Sequence, residues 1–228
     1  MSNSALIQSS LAKKYWMAAT GLFLCLFLVG HLAGNLQLLI SGEKGLLGFN
    51  EYAKFMTSNP AVKILSYLTY ISILFHAIDG IVLTVQNRRA RPKNYAYSKP
   101  SANSLWTSRN MGILGTLILI FIILHMRQFW YVMHWGPVGV DSVGNKDLYT
   151  VTITAFTDGT FGLIYTIGYV ITMITLALHL SHGFQAAFQS LGLRTDKLKK
   201  AIFTAGYIFA ILIPLLFAII PVYIHLTH

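Results

Sequence analysis

The sequence predicts an all-α fold: an integral membrane bundle of five transmembrane helices, one domain over residues 1–228. Three observations lead there. Hydrophobic residues make up 55% of the chain and charged ones only 11%, with a mean hydropathy of +0.60, whereas a soluble domain carries about 25% charged residues. Five windows, near residues 15–40, 61–86, 111–135, 161–190 and 201–226, each exceed the roughly 18–20 apolar residues that a spanning helix needs. The third observation is the sorting of charge between loops. Arg88, Arg89, Arg91, Lys93, Lys99 and Arg109 follow the second window, Arg194, Lys197, Lys199 and Lys200 follow the fourth, and Lys13 and Lys14 precede the first. The alternate loops carry Lys44, Lys54, Lys63 and Lys146 together with Glu43, Glu51, Asp141, Asp147 and Asp158. The positive-inside rule then puts the N-terminus in the cytoplasm and the C-terminus outside. So sorted, the net charge of +10 speaks for topology, or for a partner docked on the cytoplasmic face, and not for nucleic acid.

Each window has its own justification. The first, behind Lys13 and Lys14, is about twice the length of a signal-peptide core and lacks a small-x-small cleavage site, so it reads as a retained helix. Residues 4–11 ahead of it are mildly amphipathic and suit the cytoplasmic interface. Gly21, Gly30, Ala33 and Gly34 line one face of the window with small residues, which admit a neighbouring helix or a flat ligand. The outer loop 41–59 opens with glycine-rich turns and continues as a short interfacial helix over residues 49–56. Pro60 begins the second helix where proline is tolerated. The loop 87–108 is polar, with Pro92 and Pro100. The third helix ends in an interfacial cluster, Phe129, Trp130, Tyr131 and Trp135, followed by an outer loop, 136–159, with turn residues throughout. The fifth helix contains Pro214 and Pro221.

Four of the five windows hold a histidine deep inside, His31, His76, His125 and His179, and an ionisable side chain at membrane depth needs a partner. His31 and His125 lie about nine and ten residues from the outer ends of their helices, roughly 14 Å down at 1.5 Å per residue. His76 and His179 lie about ten and eleven residues from the cytoplasmic ends, level with each other in the inner half. Depth alone does not separate His179 from His182, one turn nearer the cytoplasm. Two stacked histidine pairs in a four-helix core, with a fifth helix beside it, suit two bis-histidine haems, each iron taking an imidazole from either side. Cys25 is the sole cysteine, which excludes a thiolate-ligated iron–sulfur cluster and a covalent C-x-x-C-H haem site. A di-metal carboxylate centre lacks its Glu-x-x-His motif. His134, His225 and His228 fall at the outer surface, where simple solvation explains them.

In their order and depth, Gly30-His31, Phe75-His76-Ala77, Leu124-His125 and His179-Leu180-Ser181-His182-Gly183 resemble the di-haem cytochrome b membrane anchors of succinate dehydrogenases and fumarate reductases. The likeness is nearer to the single-polypeptide, five-helix type of menaquinone-dependent bacteria, and it covers essentially the whole chain. In that family a glycine follows the fourth-helix ligand four residues later, which selects His179 with Gly183. The resemblance implies two haem b groups, His76 and His179 on the inner iron and His31 and His125 on the outer. It also implies a flavoprotein and an iron–sulfur subunit on the cytoplasmic face of a bacterial inner membrane. Electrons would pass through the inner and outer haems to a quinone, by this likeness menaquinone, near the outer surface. A related acid in the family makes Glu51 the candidate proton carrier of the quinone site, against a solvated loop carboxylate. Arg127 is a candidate partner for an outer-haem propionate, against snorkelling to the headgroups. His182, Ser181 or the basic loops are candidates for the inner propionates, and Asp79 is an intramembrane acid without an assigned role. The rival readings are the cytochrome b anchor of a hydrogenase or formate dehydrogenase, a proton-coupled transporter using its histidines and Asp79 as a relay, and a haem-free anchor.

Overall fold

The computed structural model describes residues 10–90 and 104–228. Over these residues the chain is helical, with one isolated β-bridge, Val140 to Lys146. The helices are α1 (Ser10–Asn35), α2 (Gly42–Ser58), α3 (Pro60–Arg89), α4 (Trp106–Arg109), α5 (Met111–Trp135), α6 (Leu148–Thr157), α7 (Gly159–Ser190) and α8 (Asp196–Thr227). Of these, α1, α3, α5, α7 and α8 are long and apolar enough to cross a membrane. The chain is therefore an all-α, multi-pass membrane bundle.

Local chemistry sets the boundaries. Asn59 caps α3, its Oδ1 accepting from the amides of Ala61 and Val62, with Pro60 at the first helical position where its missing N–H costs nothing. Asp147 caps α6 by accepting from the amide of Thr150. The corner between α6 and α7 is made by Asp158 and by Gly159 at φ 47°, a conformation that other residues adopt reluctantly.

α1 packs on α3, α3 on α5, α5 on α7 and α7 on α1, which closes a four-helix ring; α8 lies outside it against α7 and α1. Burial is distributed against expectation for a core. Only 6% of the apolar windows of α3 and α5 is buried within the chain, against 33% of that of the peripheral α8. The dense packing runs along the α1–α7–α8 seam, through Leu32, Ile213, Ile220 and Ile224 near one end and Cys25, Leu180 and Ala210 further along. Gly206 and Ala210 let α8 approach Phe184 of α7 closely. Pro214 and Pro221 sit buried inside α8 without ending it. The centre of the ring is a cavity.

α2 and α6 cover one end of the bundle. Asn50 of α2, 1% exposed, fastens them: its Nδ2 donates to Asp141 and Asp147, and its Oδ1 accepts from the Tyr149 amide. Burial works to raise the Asp141 and Asp147 pKa values, but hydrogen bonds from the amides of Asn145, Val143 and Thr150 and from Asn50 outweigh it and hold both below the ordinary 3.8.

Several sequence expectations are revised. The glycine-rich opening of the 41–59 loop is itself helical, because Gly42 takes the positive φ, 75°, and the helix starts there. The loop 136–159 contains α6, whose run of β-branched residues conceals a helix that tertiary packing of Tyr149, Thr152 and Phe156 enforces. α1 begins at Ser10, earlier than residue 15, and α3 runs to Arg89, past residue 86. The helix α5 carries a π turn at Met126–Trp130. The amphipathic stretch ahead of Ser10 and most of the loop around Pro92 and Pro100 lie outside the described residues.

Two outcomes follow from the Asn50 junction. Asn50→Leu leaves two carboxylates and an amide short of a partner and should cost about 2–4 kcal/mol, read as a lowered thermal midpoint in detergent. Because Asp141 and Asp147 have depressed pKa values, their contribution is complete above 3.8 and is lost as pH falls through the folded values. The thermal midpoint should be flat on the neutral side and fall on the acid side of that value, with the acid-side fall smaller in Asn50→Leu.

Candidate functional site

The cavity inside the four-helix ring has a volume of about 1840 Å³. Pockets for one drug-sized ligand occupy roughly 300–1,000 Å³, so this space suits more than one such group. Its walls are mainly apolar and run from Lys14 and Arg88 at one end to Lys63 and Trp135 at the other. His31, His76, His125, His179 and His182 all line it.

The four deep histidines meet across the ring in two pairs. His31 of α1 faces His125 of α5, with ring centroids 5.8 Å apart and planes at 88°. His76 of α3 faces His179 of α7 at 6.2 Å and 68°. His182 lines the cavity one turn away, and it is His179 that lies opposite His76. The layers are well separated. Tyr169, which touches His125, lies about 15 Å from His179 along α7, and Thr20, which touches His76, lies about 16 Å from His31 along α1, at 1.5 Å per residue.

Hydrogen bonds fix the tautomer of one imidazole in each pair. The Tyr169 hydroxyl donates to Gln128 Oε1 at 2.8 Å, so its oxygen must accept from Nδ1 of His125 at 3.0 Å. The Thr20 hydroxyl donates to the Trp16 carbonyl at 2.7 Å, so its oxygen accepts from Nδ1 of His76 at 3.3 Å. In both residues Nδ1 bears the proton and Nε2 keeps its lone pair, the form in which imidazole binds a metal. The other members are held less firmly. Asn35 Nδ2 approaches Nδ1 of His31 at 3.5 Å while donating to the His31 carbonyl at 2.7 Å. Nδ1 of His179 is buried with no hydrogen-bond partner.

Small residues keep the space beside the rings open. A Cβ added to Gly21 would meet His76 Cε1 at 3.1 Å, one added to Gly115 would meet His179 at 3.8 Å, and one added to Gly30 would meet nothing within 4 Å. Phe27 and Phe217 flank His31, and Phe121 and Phe129 flank His125.

The remaining sequence candidates do not gather here. Glu51 is exposed and belongs to a separate surface pocket with Lys54, Phe55 and Ser58; one position along α2, Tyr52 lines the large cavity instead. Arg127 is exposed, its guanidinium 4.4 Å from the centre of the Tyr131 ring, and it does not line the cavity. Ser181 donates its hydroxyl to the Leu178 carbonyl. Asp79 is half-buried and outside the cavity lining. His225 is not merely solvated: its Nδ1 donates to the Phe156 carbonyl at 2.8 Å and fastens α8 to α6. Sequence reasoning missed Thr20, Gln128 and Tyr169. The depth arithmetic that paired the histidines would have found Thr20 and Tyr169, had it been applied to hydroxyls.

Fold and site together define a multi-pass helical membrane protein with two facing histidine pairs, one above the other in a common apolar cavity. In comparisons with family models, curated proteins and solved structures, nothing matches the chain. Removing the Tyr169 hydroxyl tests the hydrogen-bond chain: Tyr169→Phe strands His125 Nδ1 and Gln128 and should cost about 1–3 kcal/mol in chemical unfolding. A neutral effect would contradict the chain of bonds described for these three residues.

Proposed function

We propose that this chain is the membrane-anchor and electron-transfer subunit of a succinate:quinone oxidoreductase, holding two b-type haems between a cytoplasmic iron–sulfur subunit and a membrane quinone. The observation that carries the reading is the pairing of the four deep histidines across the ring at 5.8 and 6.2 Å. Those spacings leave room for one metal held by an imidazole nitrogen from each side at about 2.0–2.1 Å.

The donor set favours a macrocycle over a bare ion. Among the described residues no three His, Cys, Asp or Glu side chains gather as a metal site, so each histidine pair offers two ligands only. A group that brings its own equatorial ligands satisfies that count, and haem supplies a one-electron iron couple. An apolar space of about 1840 Å³ suits a large, flat, mainly apolar group better than a single ion with its water. His31 and His125 would hold one haem, and His76 and His179 the other. Lys14, Arg88 and His182, which line the cavity at its basic end, would serve the acidic edge of the second. Arg127 and Glu51, which lie outside the cavity lining, take no haem or quinone role in this reading.

In this reading the Lys14–Arg88 end lies on the cytoplasmic side of a bacterial inner membrane, an orientation that the basic loops support through the positive-inside rule, and α2 and α6 cover the outer end. A flavoprotein and an iron–sulfur subunit would dock on the basic face, and menaquinone would react at the covered one. No succinate chemistry belongs to this chain.

A reduced-minus-oxidised spectrum of the purified protein tests this reading. Two low-spin b-type components per chain are expected. His31→Ala and His125→Ala should each remove the same component, His76→Ala and His179→Ala the other, and His182→Ala neither. The absence of b-type absorbance would remove the proposal, and loss of the inner component in His182→Ala but not in His179→Ala would reverse the ligand assignment.

A further inference from the structure

Near the α2 end the cavity wall changes character, from aliphatic to hydroxylated and aromatic. Tyr67, Tyr70, Trp130, His134 and Trp135 line it there. The cause lies in the π turn of α5. In an uninterrupted α-helix His134 would lie about 180° around from His125, and the extra residue of a π turn withdraws about 100° of that. The turn at Met126–Trp130 therefore brings Trp130 and His134 onto the wall that His125 occupies. Such turns recur at functional sites.

The hydrogen bonds leave this end with one free donor and one free acceptor. Trp130 Nε1 donates to the Tyr70 hydroxyl oxygen at 2.8 Å, so the Tyr70 O–H hydrogen is left to give, and no acceptor for it occurs among the described residues. His134 Nδ1 donates to the Trp130 carbonyl at 2.8 Å, which leaves the Nε2 lone pair to accept. His134 is exposed, and Tyr70 is 37% exposed. Trp130 packs against both, 5.9 Å from the Tyr70 ring and 4.5 Å from His134. His134 lies about 14 Å along α5 from His125 at 1.5 Å per residue.

We propose that this end of the cavity binds the ring of a quinone and its quinol, Tyr70 donating to one ring oxygen and His134 Nε2 accepting from a quinol O–H. The identity of the ligand rests on the reading in the preceding subsection; the donor, the acceptor and the aromatic wall do not. Reduction of the ring follows Q + 2e⁻ + 2H⁺ → QH₂, with both C=O groups becoming C–OH. The electrons come from the iron–sulfur partner of that reading and the protons from water at the exposed His134. The proposal moves the quinone site from Glu51, which lies in a separate surface pocket, to the Tyr70–His134 end of the cavity.

The test uses the purified complex in detergent, with 1,4-naphthoquinone as ligand and naphthalene as a ring without oxygens. Tyr70→Phe should weaken naphthoquinone binding about tenfold, the worth of one well-placed hydrogen bond, and leave naphthalene binding and the b-type spectrum unchanged. His134→Gln should lower kcat for succinate-driven naphthoquinone reduction at least tenfold with little change in KM. Equal naphthoquinone affinity in Tyr70→Phe and the parent, or equal kcat in His134→Gln, would overturn the proposal. A preparation without b-type absorbance that still binds naphthoquinone through Tyr70 would uphold this site and remove the electron-transfer reading.

Discussion

An imidazole held at membrane depth must find a partner within the protein, because hydrocarbon offers none. Here four helices each carry one, and each finds it on another helix of the ring: His31 with His125, His76 with His179. That requirement fixes which helices face one another and at what level. It also keeps the middle of the ring open, since a pair of rings with centroids near 6 Å, flanked by Gly21 and Gly115, holds the helices apart. Second partners complete the arrangement. Thr20 and Tyr169 hold the protons of His76 and His125 on Nδ1 and leave each Nε2 with its lone pair.

A hollow ring must draw its cohesion from elsewhere. α8, the helix without a deep histidine, is the most buried of the five, and its small residues Gly206 and Ala210 let it lie close to α7. At one end Asn50 ties α2 to the segment leading into α6, and His225 ties α8 back to the Phe156 carbonyl. These contacts close the end of the bundle without filling its centre. Stability and site are thus carried by different parts of the molecule. Changes in the cap or the α7–α8 seam should act on unfolding alone, while changes at the pairs should also act on what the cavity holds.

The spanning helices and the depth-matched histidines were legible in the sequence because both follow from simple arithmetic, about 20 apolar residues per span and 1.5 Å per residue. The features that were not legible depend on rotation about a helix axis. Glu51 and Tyr52 are adjacent in sequence, yet only Tyr52 reaches the cavity. Arg127 is two residues from His125 but stacks outward on Tyr131. The π turn at Met126–Trp130 has no signature in the residue pattern, and it determines which side of α5 His134 occupies. α6 was hidden by threonine and valine, which favour strands on their own and are helical here through packing.

The central claim is that each histidine pair shares one iron-centred group. Anomalous scattering at the iron edge from crystals of the purified protein tests it most directly. The expected map has two iron peaks per chain, one between His31 and His125 and the other between His76 and His179, separated by about 15 Å, the spacing that α1 and α7 impose at 1.5 Å per residue. A map with no iron in the ring, or with a peak on His182 in place of His179, would contradict it.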